Sequence, residues 1–291
     1  MTFGVLQTKE MEMNSSSGYL MDDPRETSRL SQKVDAAEWV RKFIVPLELA
    51  GATVLDVGCG PAVIASEISQ HFPTASVTGL DQSEERLVVA QQNNLENLKV
   101  QLVSGSAAEL PFGDASFDFV MCRFLLEYLP DKQAAINEMV RVLRPGGRLL
   151  LQDLDGQLLW HFPIDEDLQR NIESTLKVLA KTGFDPFVGR KLFHFSKVAG
   201  LDAINVRIEP YHQIIGQIDN RMRALWELKL DIALPAAAKA LGSPENAVEM
   251  KRHFLAYFDR EDSLTYSVVF TVVGRKPVRP DPIAAGGSGQ P

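Results

Sequence analysis

Residues 54–65 read VLDVGCGPAVIA: a short apolar run, a glycine turn and the opening of a helix. Val54, Leu55 and Val57 supply the apolar run, as a buried strand requires. Gly58 and Gly60 permit backbone conformations and a close approach that a Cβ would block. A helix opening near Pro61 points its first amide N–H groups at a polar or anionic ligand. Such turns recur across α/β proteins, so this one alone implies a nucleotide-like cofactor without saying which. Ala62 stands where a further small turn residue is common, and its methyl group is tolerated if its φ is negative.

Outward from this turn the pattern alternates. Leu30, Val34, Ala37, Val40 and Ile44 fall on one face of an N-terminal helix. After the turn come a strand (SVTGLD), a helix that Ser83 can cap, a strand (KVQLVSG) and another strand (FDFVMCR). The helix DKQAAINEMVRVL follows, with Ile136, Met139, Val140 and Leu143 as its apolar stripe. Pro145, Gly146 and Gly147 stop it before the strand RLLLQDL. Beyond that, the pattern predicts an extra helix over 165–181 and a crossover helix over 189–199 leading into the strand INVRIEPYHQII. One long helical stretch over 217–258 then precedes a last strand, SLTYSVVFTVVGRK. Alternating short strands and helices predict an α/β fold, a doubly wound, mostly parallel seven-stranded Rossmann-like sheet with an antiparallel last strand and a helical lid. The expected organisation is a flexible N-terminus (1–17), a single domain over 18–276 and a disordered, Pro/Gly-rich tail (277–291). Within the domain, 18–48 would be cover helices, 49–155 the cofactor-binding core, and 156–185 with 217–260 helical lid insertions.

Bulk properties narrow the function classes. The 291 residues carry a formal net charge of −8, with 45% hydrophobic and 23% charged residues, an ordinary soluble composition. No dense basic run offers phosphate neutralisation, which argues against nucleic acid as substrate. Cys59 and Cys122 form no CxxC and fit free thiols in a reducing compartment. The opening MTFGVLQTKEMEMN lacks the basic-then-apolar layout of a signal peptide, and no apolar stretch approaches the roughly 20 residues of a membrane helix. The expectation is a cytoplasmic protein without a membrane span. No HxxxH or thiolate pair predicts a metal.

Asp81 ends the second strand, 25 positions after Asp56. A carboxylate there can accept both hydroxyls of an adenosine ribose. Together with the glycine turn, SGSAAELPFGDASFD (104–118) and LRPGG (143–147), it makes the chain resemble the class I S-adenosylmethionine-dependent methyltransferases. The subgroup it looks most like contains the ubiquinone and menaquinone methyltransferases and natural-product tailoring enzymes. The resemblance covers roughly 50–155, and Gly18-Tyr19 with Glu26, Arg29 and Leu30 looks like that group's N-terminal cover helix. It implies S-adenosyl-L-methionine as cofactor. Asp56, Gly58, Cys59 and Gly60 would hold its methionine end, Asp81 its ribose, and Gln82, Ser106 and Ala107 its adenine. Arg123 and Phe124 would lie near the methionine end, with Tyr19 and Arg29 closing over it and Arg29 pairing with the carboxylate. Ser106 departs from the Asp that the family often has there, though a hydroxyl can also accept. A nicotinamide dinucleotide would need a second mononucleotide-binding unit, where this chain instead turns into an extra helix.

The acceptor half is less marked. Methyl transfer asks the protein to align nucleophile and methyl, to exclude water and, for a weakly acidic nucleophile, to supply a base. His161, His212 and Asp153 are the named catalytic candidates. Asp155, Glu127, Tyr128 and Tyr211 were weighed beside them, while His194 and His253 carry no assigned role. Apolar residues of the lid suit a small, largely apolar or aromatic acceptor, with O-methylation as the leading reaction. The same core could also serve a non-methylating cyclase or a binding subunit. Oligomeric state is not legible.

Overall fold

The computed structural model describes residues 25–27, 29, 34–93 and 100–278, without the side chains of 157–159. The expectations on Tyr19, Leu30, the 1–17 segment and most of the tail lie outside the described residues.

Seven strands form one sheet: β1 (Thr53–Val57), β2 (Ser76–Asp81), β3 (Val100–Ser104), β4 (Phe117–Arg123), β5 (Leu143–Phe162), β6 (Asp202–Ile215) and β7 (Leu264–Arg275). Their spatial order is β3-β2-β1-β4-β5-β7-β6. The first five run parallel, and β7 inserts antiparallel between β5 and β6. This is the predicted α/β sheet with its antiparallel last strand.

The helices are α1 (Ala36–Phe43), α2 (Val63–His71), α3 (Glu84–Asn93), α4 (Lys132–Val142), α5 (Glu166–Leu179), α6 (Leu192–Val198), α7 (Asn220–Leu241) and α8 (Pro244–Tyr257). The central strands read as continuous apolar runs because helices cover both faces. Side-chain alternation sorts those runs into two cores. Leu55, Val57, Val120, Cys122, Leu149 and Leu151 pack with Ile136 and Met139 of α4. Val54, Phe119, Met121 and Leu150 pack instead with Trp39 and Val40 of α1 and with Ile64 and Ile68 of α2.

Three local readings change. The second helix starts at Val63 rather than at Pro61, with Ala62 as its N-cap in the left-handed region. Strand β5 continues to Phe162, so the insertion expected to be helical from 156 begins as an arm of β5 paired with β7 through Trp160, His161 and Phe162. Gly156, at φ +71°, bends that arm, and a Cβ there would fall 2.1 Å from Trp160 Nε1. The expected helix over 217–258 is two helices. Gly242 closes α7 at φ 85°, and the Ser243 side chain caps α8 with Pro244 at its first turn, an ordinary stop-and-start signal.

Helices α5, α7 and α8 gather over the C-terminal edge of the sheet around Leu168, Ile172, Trp226, Phe254 and Phe258. Phe119 lies fully buried in the α1/α2 core. Phe119→Ala is expected to cost about 3–5 kcal/mol of stability, measured by urea unfolding.

Candidate functional site

Parallel pairing brings the polar ends of the central strands to one edge. Asp56 lies level with Gly79 of β2 and Met121 of β4. Asp81 and Arg123 end β2 and β4 two residues later. Because side chains alternate along a strand, Asp56, Asp81, Arg123 and Gln152 share the parity of Val54, Val77, Met121 and Leu150, which face α1 and α2. Four polar groups thus emerge on one sheet face where the apolar runs stop.

The glycine turn is fastened to β2. The Gly58 and Cys59 amides donate to the Leu80 carbonyl at 2.7 and 3.0 Å. The Gly60 amide donates to Asp81 Oδ2 at 2.8 Å, and the Ser83 amide to Asp81 Oδ1 at 2.9 Å. These loop amides therefore hold the turn in place. Asp81 is buried, with Arg86 Nη1 at 4.0 Å. Each carboxylate oxygen has about two acceptor positions, so Asp81 keeps capacity beyond these two amides. Gly58, at φ +75°, would bring a Cβ to 2.7 Å from Leu125 Cδ2. Ala62, at φ 56° and fully buried, does not meet the condition of a negative φ. Its methyl group sits in a conformation that costs an L-residue about 1–2 kcal/mol.

Arg123 anchors the other side. Its Nε donates to Gln152 Oε1 at 3.0 Å, as does Trp39 Nε1 at 2.8 Å, while Gln152 Nε2 donates to Thr271 Oγ1. The guanidinium lies 4.2 Å from the Phe124 ring centroid and hydrogen-bonds Tyr211. Burial pushes the Asp56 carboxyl up to about 7, opposed by Arg123 and reinforced by Asp81. Burial also raises both cysteine thiols, and both cysteines are free and buried.

The structure gathers much of the predicted set around one cavity. Arg29, Asp56, Gly58, Cys59, Gly60, Asp81, Arg123 and Phe124 all line it. Arg29 makes a bidentate ion pair with Glu26 at 2.6 and 2.7 Å, with both residues buried. Gln82 and Ser106 are exposed and Ala107 is buried in the α4-side core, none of them on that wall.

The acceptor candidates disperse. Asp153 is fully buried and accepts from the amides of Glu127 and Leu154, clamping β5 to the turn at Leu126–Tyr128. His161 stacks on Tyr257 at 4.9 Å on the β5 arm and lines none of the described cavities that Asp56 or His212 borders. His212, at φ 47°, has Nδ1 3.3 Å from Ser267 Oγ and its ring against Trp226. It borders a neighbouring cavity with Arg29, Tyr211, Met222 and Lys229.

Lys229 was missed. It reaches from α7 into the Asp56 cavity and borders two further ones. Burial, with repulsion from Arg29, lowers its ammonium to about 8 against the pull of Glu127, Glu26 and Asp153. A sequence signal existed: positions 226, 229, 230 and 233 form one helical stripe, so a lysine occupies a core-phase position. Among the described residues no cluster of His, Cys, Asp and Glu could hold a metal ion.

Comparison with known proteins bears on the fold and the domain. Residues 55–151 match the family model described as a methyltransferase domain. Demethylmenaquinone methyltransferase of Staphylococcus aureus is 44% identical over 101 residues, covering 34% of this chain and 42% of that protein. The match thus spans less than half the length of this curated relative. Among solved structures, phosphoethanolamine N-methyltransferase 2 of Haemonchus contortus, in complex with phosphomonomethylethanolamine and S-adenosylhomocysteine, is 18% identical. It has a TM-score of 0.51 over 88% of this chain and 60% of that one. The (4+2) cyclase SpnF is 20% identical with a TM-score of 0.51, covering 90% of this chain and 86% of that one. The fold is the Rossmann-like methyltransferase fold.

The Asp56 environment carries a pH signature. Folding raises its carboxyl from the usual 3.8 to about 7, so the folded protein holds a proton that the unfolded chain releases. Stability from this group is full below the unfolded value and is lost as pH rises through the folded one. The Tm of the cofactor-free protein is expected to fall between pH 5 and about 7.5, and Asp56→Asn to flatten that slope in calorimetric scans.

Proposed function

We propose that this chain, whose residues 55–151 match a methyltransferase domain, is an S-adenosylmethionine-dependent methyltransferase acting on the oxygen of a small, largely apolar or aromatic acceptor. The observation that carries this reading is the convergence of Asp56, Asp81 and Arg123 on one cavity wall, beneath an apolar helical lid.

The donor set fits the cofactor. Buried Asp81, fixed by the Gly60 and Ser83 amides, has acceptor capacity left for a ribose diol. Asp56 faces the cavity as a buried acid whose ionisation a ligand ammonium would favour. Arg29 sits over the same wall to meet a carboxylate, exchanging part of its pairing with Glu26. When bound, S-adenosylmethionine supplies a methyl group already activated by the sulfonium charge. What remains for the protein is alignment, exclusion of water and management of one proton.

The chain's own residues divide those tasks. Gln152, held by Trp39 and Thr271, fixes Arg123 at the methionine end. The helical lid covers the sheet edge and limits water. Lys229 and His212, which border adjoining cavities, are placed to receive the acceptor's proton, a role that replaces the one expected for His161. We read 49–155 as the cofactor-binding core and α5, α7 and α8 as the lid. The net charge of −8 favours a small molecule over nucleic acid. No helix of the described residues is long and apolar enough to cross a membrane, and the two free thiols favour a cytoplasmic setting.

Asp81→Ala is expected to weaken binding of S-adenosylhomocysteine by about 1–3 kcal/mol, the usual cost of losing a charged hydrogen-bond partner, by isothermal titration calorimetry. Unchanged affinity would remove Asp81 from the ribose role, and no binding to the unmutated protein would sink the methyltransferase reading. Radiolabelled methyl transfer to apolar phenols tests the reaction itself. Methylated product is expected, while cofactor binding without turnover of any acceptor would favour a non-methylating activity.

A further inference from the structure

Beside the Asp56 cavity lies a second, partly open space, bordered by α5, α7, α8 and the Tyr128 and Phe184 rings, with a volume of about 120 Å³. Its wall includes Ile172, Leu176, Leu230, Ala233 and Phe254. An apolar cavity of comparable size, about 150 Å³, holds one benzene ring. The single charged side chain on this wall is Lys229, which also borders the Asp56 cavity. One ammonium therefore stands where an apolar chamber meets the end of the cofactor site.

We propose that this chamber holds an apolar ring of the methyl acceptor and that Lys229 selects acceptors bearing one acidic oxygen, of the phenol or enol kind. The assignment rests on the methyltransferase reading and names its substrate class. Two features make Lys229 more than a structural cation. Its Nζ lies 5.2 Å from the Trp226 ring centroid, a cation–π contact within α7 that holds the ammonium at the cavity wall. The groups facing it are Arg29 and Glu26 from the N-terminal helical segment, Glu127 from the turn after β4, and Asp153 from β5. Burial among this mixed set brings the ammonium down to about 8, so that a neutral fraction of the amine can take the acceptor's proton at mildly alkaline pH and then pair with the resulting oxyanion. In the transfer itself, an oxygen lone pair forms the new O–C bond as the C–S bond breaks and its electrons pass to sulfur. The proton lost by the oxygen stays on Lys229 until it is released to solvent. An acceptor with an acidic oxygen adds an anion beside this ammonium that an acceptor without one cannot, and that difference discriminates between the two.

The test uses the full chain saturated with S-adenosylhomocysteine, with 4-nitro-1-naphthol and its methyl ether as probes. The titration is run below the free naphthol's own pKa, so that ionisation on binding is read from its visible absorbance. Unmutated protein is expected to bind the naphthol as its anion, about tenfold tighter than the ether. Lys229→Met should abolish both the preference and the absorbance change, and Lys229→Arg should restore both. Ala233→Trp, which fills the chamber, should weaken both probes about tenfold while S-adenosylhomocysteine binds as before. It keeps the test alive if Lys229→Met fails to fold by circular dichroism. The proposal is overturned by absence of binding of either probe, by equal affinity for naphthol and ether, by a preference that survives Lys229→Met, or by probe binding indifferent to Ala233→Trp. If S-adenosylhomocysteine does not bind, the methyltransferase reading fails. The same probes on the cofactor-free protein then judge the chamber separately.

Discussion

Parallel, in-register pairing of β1 with β2 and β4 is the constraint from which the rest of the site follows. Parallel strands end at a common edge, and alternation along each strand sends every second side chain to the same face. Residues 56, 81, 123 and 152 therefore converge without being near one another in sequence. Only a short apolar run on each strand is needed to bury the sheet, so polar residues can occupy the positions just beyond it. Their burial must then be compensated, because an isolated charge in a poorly hydrated site is costly. Two backbone amides on Asp81 provide that compensation, whereas at Asp56 Arg123 offsets only part of the cost of burial and the carboxyl is pushed up to about 7.

The other half of the site depends on the arm that β5 and β7 extend beyond the sheet. Bent at Gly156, it carries the chain up to α5, and α7 and α8 close over from the opposite side. The α5, α7 and α8 helices share a separate small core, built on Trp226, Phe254 and Phe258, rather than extending the sheet's own two. Lys229 is where the two systems touch. Its ammonium meets Glu26, Arg29, Glu127 and Asp153, which come from three different parts of the chain.

The strands were legible where periodicity and turn residues agreed. SVTGLD and FDFVMCR match β2 and β4 residue for residue, since continuous apolar runs between turns leave little choice of boundary. Asp131 and Asp165 cap their helices as their position before a helical stripe implies. The break between α7 and α8 was written as Gly242-Ser243-Pro244, but the apolar residues on both sides hid it. The length of β5 was not legible, because Pro145, Gly146 and Gly147 read as a stop between helix and strand when they lie within the strand.

The sequence by itself determined the doubly wound sheet, the glycine turn and the acidic residue ending β2, because each depends on local spacing and short-range backbone preference. Tertiary structure alone decided how these parts are used. It turned the loop amides onto β2, set Ala62 in the left-handed region and placed Arg29 against Glu26. It also buried Asp153 as a clamp, left His161 on the arm and brought Lys229 to the cavity. These outcomes depend on contacts between residues distant in the chain, and on the electrostatic cost of burying each charge, neither of which a local pattern encodes.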